Sequence, residues 1–105
     1  REHTEALRVR SYLSRMACES ANLTEVARLM HLTSRTLIRR LEADGTSFQS
    51  IKDALRRDIA IRHLSIELKS IEEIAHEVGF SSAANFHRAF QSWTGTTPSS
   101  YRNRK

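Results

Sequence analysis

Two stretches of this chain are built to one pattern. Leu23-Thr24-Glu25-Val26-Ala27-Arg28-Leu29-Met30 is matched by Ile71-Glu72-Glu73-Ile74-Ala75-His76-Glu77-Val78, with Leu23 against Ile71, Val26 against Ile74, Ala27 against Ala75 and Met30 against Val78, all 48 positions apart. Downstream, Leu37 matches Phe86 and Leu41 matches Phe90 at 49 positions, so the second copy carries one extra turn residue near Ser81. In each copy the apolar positions recur at the three-to-four spacing of a helix with one buried stripe. A short break follows, and then a second helix. The small Ala27 and Ala75 suit a steep crossing, where two helix backbones approach most closely. The repeat predicts two helix-turn-helix units. Gly79 eases the second turn, whereas His31 stands at the matching position of the first, where positive φ costs a non-glycine residue some energy.

A length of 105 residues supports one domain or two small lobes sharing a helix. Gly45, Gly79, Gly95 and Pro98 punctuate an otherwise continuous helical pattern, and no period-two strand or Asn-Gly hairpin signal interrupts it. The predicted fold is all-α, with about seven helices. Ala6, Val9, Leu13 and Met16 form the stripe of an opening helix that ends near Cys18. Asn22 caps the next, with Glu25 at capping-box spacing. Thr33 caps a third helix through about Asp44, stopped by Gly45. Ser47 opens a long helix with Phe48, Ile51, Leu55, Ile59 and His63 or Leu64 on its buried side. Ser70, with Glu73 at capping-box spacing, opens a fifth, and Ser81 or Ser82 a sixth that carries Phe86, Phe90 and Trp93 on one face. A short helix follows Pro98, with Tyr101 inward. The resulting division is a first lobe over 1–46, a linker helix over 47–66 and a second lobe over 67–105.

Seventeen Lys and Arg against twelve Asp and Glu give a formal net charge of +5. That excess favours a polyanionic partner, nucleic acid or an acidic membrane surface. A spanning helix needs about 20 successive apolar residues, and charged residues interrupt every apolar run here, so no membrane role is expected. Arg1-Glu2-His3-Thr4-Glu5 lacks the apolar core of a secretory signal, and the expected setting is cytoplasmic. Cys18 is the one cysteine, which excludes an internal disulfide and a multi-cysteine zinc site.

On a helical wheel of about 100° per residue with Leu37 facing the core, Arg35, Arg39 and Glu42 lie opposite, with Thr36 and Ile38 on the flanks. With Phe86 inward, Ala84, Arg88 and Gln91 face outward, flanked by Asn85 and His87. Arg39 and Arg88 are therefore equivalent. Arginine on such a face bonds guanine O6 and N7 as a fork, and Asn85 is suited to adenine. The long helix, about 27 Å at 1.5 Å per residue, together with its end turns approaches the roughly 34 Å between successive major grooves on one face of DNA. Arg56, Arg57, Arg62, Lys69, Arg102, Arg104 and Lys105 are candidates for phosphate contacts, as are the helix amino termini near Asn22, Ser47, Ser70 and Pro98.

The run Gly79-Phe80-Ser81-Ser82-Ala83-Ala84-Asn85-Phe86-His87-Arg88-Ala89-Phe90, then Trp93-Thr94-Gly95-Thr96-Thr97-Pro98 and Ser99-Ser100-Tyr101-Arg102, closely resembles the signature of the AraC/XylS family of bacterial transcription regulators. Ser34-Arg35-Thr36-Leu37-Ile38-Arg39-Arg40-Leu41 with Gly45-Thr46-Ser47-Phe48 is similar to that family's first unit, so the resemblance covers nearly the whole chain. It implies two helix-turn-helix lobes joined by a long helix, both recognition helices entering the major groove of double-stranded DNA to control transcription. The implied base-contact set is Arg35, Thr36, Ile38 and Arg39 with Ala84, Asn85, His87 and Arg88. The phosphate-contact set is Ser34, Arg40, Ser47, Gln49, Arg57, Ser82, Gln91, Thr97 and Arg102. Two positions depart from common patterns: Ile38 suits only a thymine methyl or packing, and Ala84 is too short for a polar base contact, so the second unit is expected to read fewer bases. The resemblance further implies an amino-terminal effector or dimerisation domain beyond this carboxy-terminal piece; RNA polymerase is a further expected partner, through a helical interaction surface. Within the family, Arg35-Thr36-Leu37 and Gly45-Thr46-Ser47-Phe48 resemble the branch containing ornithine-utilisation and some quorum-sensing or virulence regulators.

Two other functional classes have some material in the sequence. Glu73-x-x-His76 beside Glu77 has the spacing of carboxylate-bridged metal sites, but no second copy exists. Cys18 has no partner at catalytic spacing, and neither a P-loop nor Gly-x-Ser-x-Gly occurs, so no enzyme activity, metal or cofactor is expected. The solvated face of the first helix, with Arg8, Arg10 and Arg15, suits a protein-interaction module. Phe86, Phe90 and Trp93 fit a helical core better than a base-stacking platform for single strands.

Overall fold

With three glycines and one proline in the whole chain, helix-breaking residues fall only at joints between helices. The computed structural model describes residues 4–16, 22–66 and 68–103. Among them it forms α1 (Thr4–Ser14), α2 (Leu23–Leu29), α3 (Ser34–Ala43), α4 (Phe48–Ile66), α5 (Ile71–Glu77), α6 (Ala83–Thr94) and α7 (Pro98–Arg102). The described residues include no strand, so the all-α expectation and the helix count both hold. The chain divides into two compact units, one through Leu55 and one from Arg56, and α4 contributes to each.

In the first unit α1 buries Val9 and Leu13 and packs on α2 and α3. Asn22 caps α2 by accepting the Glu25 N–H at 2.8 Å, and the Glu25 carboxylate is engaged by Arg28. That hydrogen bond is the main cause holding the Glu25 carboxyl below its ordinary range and raising the Arg28 guanidinium. Thr33 caps α3 through the Thr36 N–H at 3.1 Å. Val26 and Ala27 of α2, its C-cap Met30, and Leu37 and Leu41 of α3 are buried.

In the second unit the Ser70 side chain accepts the Glu73 N–H while the Glu73 carboxylate accepts the Ser70 N–H at 2.8 Å, a complete capping box. Ser82, not Ser81, caps α6. Ala60, Leu64, Ile74, Ala75, Val78, Phe86 and Phe90 form a buried cluster, with Ile59, Ile61, Ile71, Phe80, Trp93 and Tyr101 half-buried around it. Tyr101 meets the Phe90 ring edge-on at 5.7 Å. Pro98, the first residue of α7, is buried.

Three helices end alike. After α2, α3 and α5 the chain turns through one left-handed residue, His31, Gly45 or Gly79. The N–H two residues past each cap returns to a helix carbonyl: Leu32 to Ala27 at 2.8 Å, Thr46 to Leu41 at 3.0 Å and Phe80 to Ala75 at 2.9 Å. The pattern satisfies carbonyls that a helix end otherwise leaves without partners. His31 does carry positive φ, 61°, as the repeat predicts. The matching bonds to Ala27 and Ala75 keep the 48-residue offset through Phe80, and the caps Thr33 and Ser82 stand 49 apart, so Ser81 is the inserted residue.

Two expectations need correction. α1 closes at Ser14 instead of near Cys18, which itself lies outside the described residues. Its last bonds are the tight three-residue kind, Arg15 N–H to Tyr12 O and Met16 N–H to Leu13 O, both 3.1 Å, while Ser14 Oγ bonds the Ser11 carbonyl. Such bonds compete with helix continuation. On α4 the most deeply buried residue is Ala60, absent from the predicted stripe, while Ile59 is only half-buried. Alanine carries too weak a hydropathy signal to be singled out by periodicity.

Candidate nucleic-acid interface

Because α3 turns Leu37 and Leu41 into the first unit, its opposite face presents Arg35, Ile38, Arg39 and Glu42 to solvent, with Ile38 43% exposed. Among the described residues no hydrogen bond or ion pair holds Arg35 or Arg39. Thr36, half-buried, is tied back to its helix cap, since Thr33 Oγ1 donates to Thr36 Oγ1 at 3.0 Å. The corresponding face of α6 presents Ala84, Asn85, His87, Arg88 and Gln91. These side chains are coupled differently: Asn85 Nδ2 donates to Ser81 Oγ at 3.1 Å, and Arg88 Nη2 donates to Asn85 Oδ1.

The residues expected at phosphates are more varied. Ser47, Ser82 and Thr97 accept the N–H of Ser50, Asn85 and Ser100 at 3.1 Å, capping α4, α6 and α7. Gln91 is exposed and Ser34 half-buried. Arg40 pairs with Glu5 of α1 at 3.3 Å, Gln49 Nε2 donates to Asp53 at 2.9 Å, and Arg57 pairs with Asp58 at 3.2 Å. Arg102 is half-buried, with Nε 3.5 Å from the Leu64 carbonyl near the end of α4.

Arg56 departs furthest from its expected role. Its guanidinium lies over the Phe80 ring at 4.4 Å and near Trp93 at 5.8 Å, with Nη1 3.5 Å from the Val78 carbonyl. It is therefore a packing residue of the second unit. Nothing local in the sequence marks this, because Arg56, Phe80 and Trp93 meet only when α4, the turn and α6 fold together. Lys69 is likewise committed, to Glu77 at 2.7 Å, and the same carboxylate lies 3.5 Å from His63 Nε2. Arg62 is exposed; Arg104 and Lys105 lie outside the described residues.

The rival metal reading rests on Glu73, His76 and Glu77. The Glu73 carboxylate completes its helix cap and Glu77 serves Lys69 and His63. The described residues contain no group of three His, Cys, Asp or Glu arranged to hold a metal. No helix among them is long and apolar enough to cross a membrane. Phe86 and Phe90 are fully buried, so they are core and not an open stacking platform.

The model of a helix-turn-helix domain family matches residues 26–104. The ornithine utilization regulator of Pseudomonas aeruginosa is 38% identical over 95 residues, which cover 90% of this chain and 28% of that protein. The chain thus spans less than a third of that relative. Among solved structures, the transcriptional regulator CdpR from Pseudomonas aeruginosa superposes with a TM-score of 0.87 at 33% identity, covering 94% of this chain and 31% of CdpR. The DNA-binding domain of AdpA, solved in complex with a target DNA, shares the fold at a TM-score of 0.80 and 24% identity, covering 95% and 91% of the two chains. With two turn-linked helix pairs and a matching family model over most of its length, the chain belongs to the helix-turn-helix domain family, as an AraC-type DNA-binding domain of the kind transcriptional regulators carry.

Proposed function

We propose that this domain reads duplex DNA by sequence, with α3 and α6 as its two recognition helices in neighbouring major grooves, in a cytoplasmic regulator that acts by binding and not by catalysis. The observation that carries the reading is the pair Arg39 and Arg88: equivalent by repeat, exposed, and opposite the buried stripe of their helices. Arg35, Thr36, Ile38 and Arg39, with Ala84, Asn85, His87 and Arg88, are the proposed groove-facing set. Ser34, Arg40, Ser47, Gln49, Arg57, Ser82, Gln91, Thr97 and Arg102 are proposed at the sugar-phosphate backbone, where the capped helix termini add oriented N–H groups. The lobes take residues 1–46 and 67–105, with 47–66 between them. A separate effector or dimerisation domain and RNA polymerase are the proposed protein partners.

Random-site selection with this chain, followed by sequencing of bound duplexes, tests the reading. Two short blocks about one helical turn apart are the expected product, bound with an affinity that falls steeply as salt rises. Equal affinity for the recovered duplex and a scrambled one at moderate salt rejects sequence-specific recognition.

A further inference from the structure

The two recognition helices do not present their arginines in the same way. In the first unit Arg39 has no side-chain partner among the described residues, and Thr36, the repeat counterpart of Asn85, bonds back to its own helix cap at 3.0 Å. In the second unit a chain of hydrogen bonds runs outward along the exposed face: Ser81 Oγ accepts from Asn85 Nδ2 at 3.1 Å, and Asn85 Oδ1 accepts from Arg88 Nη2. Ser81 is the residue that the second turn has and the first lacks.

The geometry points to Ser81 as a positioning residue that, through Asn85, sets the guanidinium of Arg88 for base recognition, so that α6 discriminates more sharply per contact than α3. This rests on the proposed role of α6 in the major groove. A carboxamide can present either end to a neighbour, and only its oxygen accepts from arginine. Arg88 can only donate and so takes Oδ1, while Ser81, by accepting from Nδ2, holds the carboxamide that carries that oxygen in place. The guanidinium carries five N–H donors, so the one given to Asn85 leaves a fork for a guanine edge. A side chain already held in its bound geometry loses less freedom on binding, and misplaced bases cannot recruit it by reorientation. Arg39 searches for its contact instead and tolerates more sequence variation.

The test uses the duplex recovered by random-site selection together with its full set of single base-pair substitutions, and reads the discrimination ratio at each position. Arg88→Ala and Arg39→Ala first assign positions to α6 and α3. Ser81→Ala is then expected to lower discrimination at the α6 positions by roughly three- to tenfold, the size of one lost hydrogen bond, and to leave the α3 positions unchanged. Asn85→Ala lowers the α6 ratios at least as far, since it removes the link to Arg88 together with Asn85's own groove contact, Ser81→Thr restores the ratio, and Ser81→Ala has no further effect in the Arg88→Ala background. A Ser81→Ala protein with unaltered ratios, with affinity reduced alike for every duplex, or with an effect that persists without Arg88 overturns the proposal while leaving the groove reading intact. If Arg88→Ala itself changes no ratio, the α6 reading fails and this inference with it.

Discussion

His31 and Gly79 hold the same left-handed backbone at the same step of their turns, with φ of 61° and 92°. Each donates its N–H at 3.0 Å to a carbonyl of the helix just ended, Arg28 for His31 and His76 for Gly79. The left-handed conformation costs an L-residue roughly 1–2 kcal/mol, part of which glycine returns through the greater freedom of its unfolded chain. His31→Gly is therefore expected to stabilise the domain by about 0.5–1 kcal/mol, and Gly79→Ala to destabilise it by about 1–2 kcal/mol. Urea denaturation midpoints check both signs. A less stable His31→Gly protein shows that the imidazole contributes more than its backbone costs.

Arg39→Ala and Arg88→Ala are each expected to weaken binding to the selected duplex by about 1–3 kcal/mol. Both side chains point away from the buried residues of their units, so thermal unfolding should stay at the parent value. Titration of labelled duplex, with melting curves of both variants, provides the measurement. Parental affinity in both proteins means that the wrong helix faces have been assigned.

Arg56 behaves in the opposite way. With its guanidinium stacked on Phe80 and close to the Val78 carbonyl, Arg56→Ala is expected to cost about 1–2 kcal/mol of stability, and Arg56→Lys to recover only part of it, because an ammonium cannot stack as a plane. The salt dependence of DNA binding should keep its slope, whereas loss of a true phosphate contact lowers that slope by about one. Chemical denaturation and a salt titration separate the two roles.

Arg102→Ala is expected to cost about 1 kcal/mol, because its Nε lies against the Leu64 carbonyl, one of the last of α4. A melting curve reads this loss. An unchanged melting temperature together with a shallower salt slope assigns Arg102 to the DNA backbone alone and not to the end of α4.

The exposed Glu25–Arg28 pair fixes a pH direction. The Arg28 hydrogen bond leads in lowering the Glu25 carboxyl below its ordinary value of 4.5, with the Arg28 charge adding to it and desolvation opposing. A carboxyl depressed on folding contributes stability above its unfolded value, and that contribution is lost as pH falls through the folded one. Glu25→Gln should therefore melt slightly below the parent at neutral pH, and the gap should close under acid below the carboxylate range. A gap that stays constant with pH assigns the effect to something other than this pair.

Much of this protein is written in local order. The three-to-four spacing of apolar residues, the caps Asn22, Thr33, Ser70 and Thr97, the left-handed turn residues and the one-residue insertion near Ser81 are all consequences of neighbours within one or two helical turns. For that reason the helix count, the paired units and the outward placement of Arg39 and Arg88 were readable before any coordinates. What the tertiary structure alone decided is which charged side chains are already committed. Arg56 at the Val78 carbonyl, Arg40 at Glu5 and Arg102 at Leu64 each join residues 22 to 38 positions apart, where no periodicity links them. Seventeen lysines and arginines look alike as net charge; folding distinguishes them, because a guanidinium held by a ring, a carboxylate or a helix carbonyl has less left to offer a phosphate.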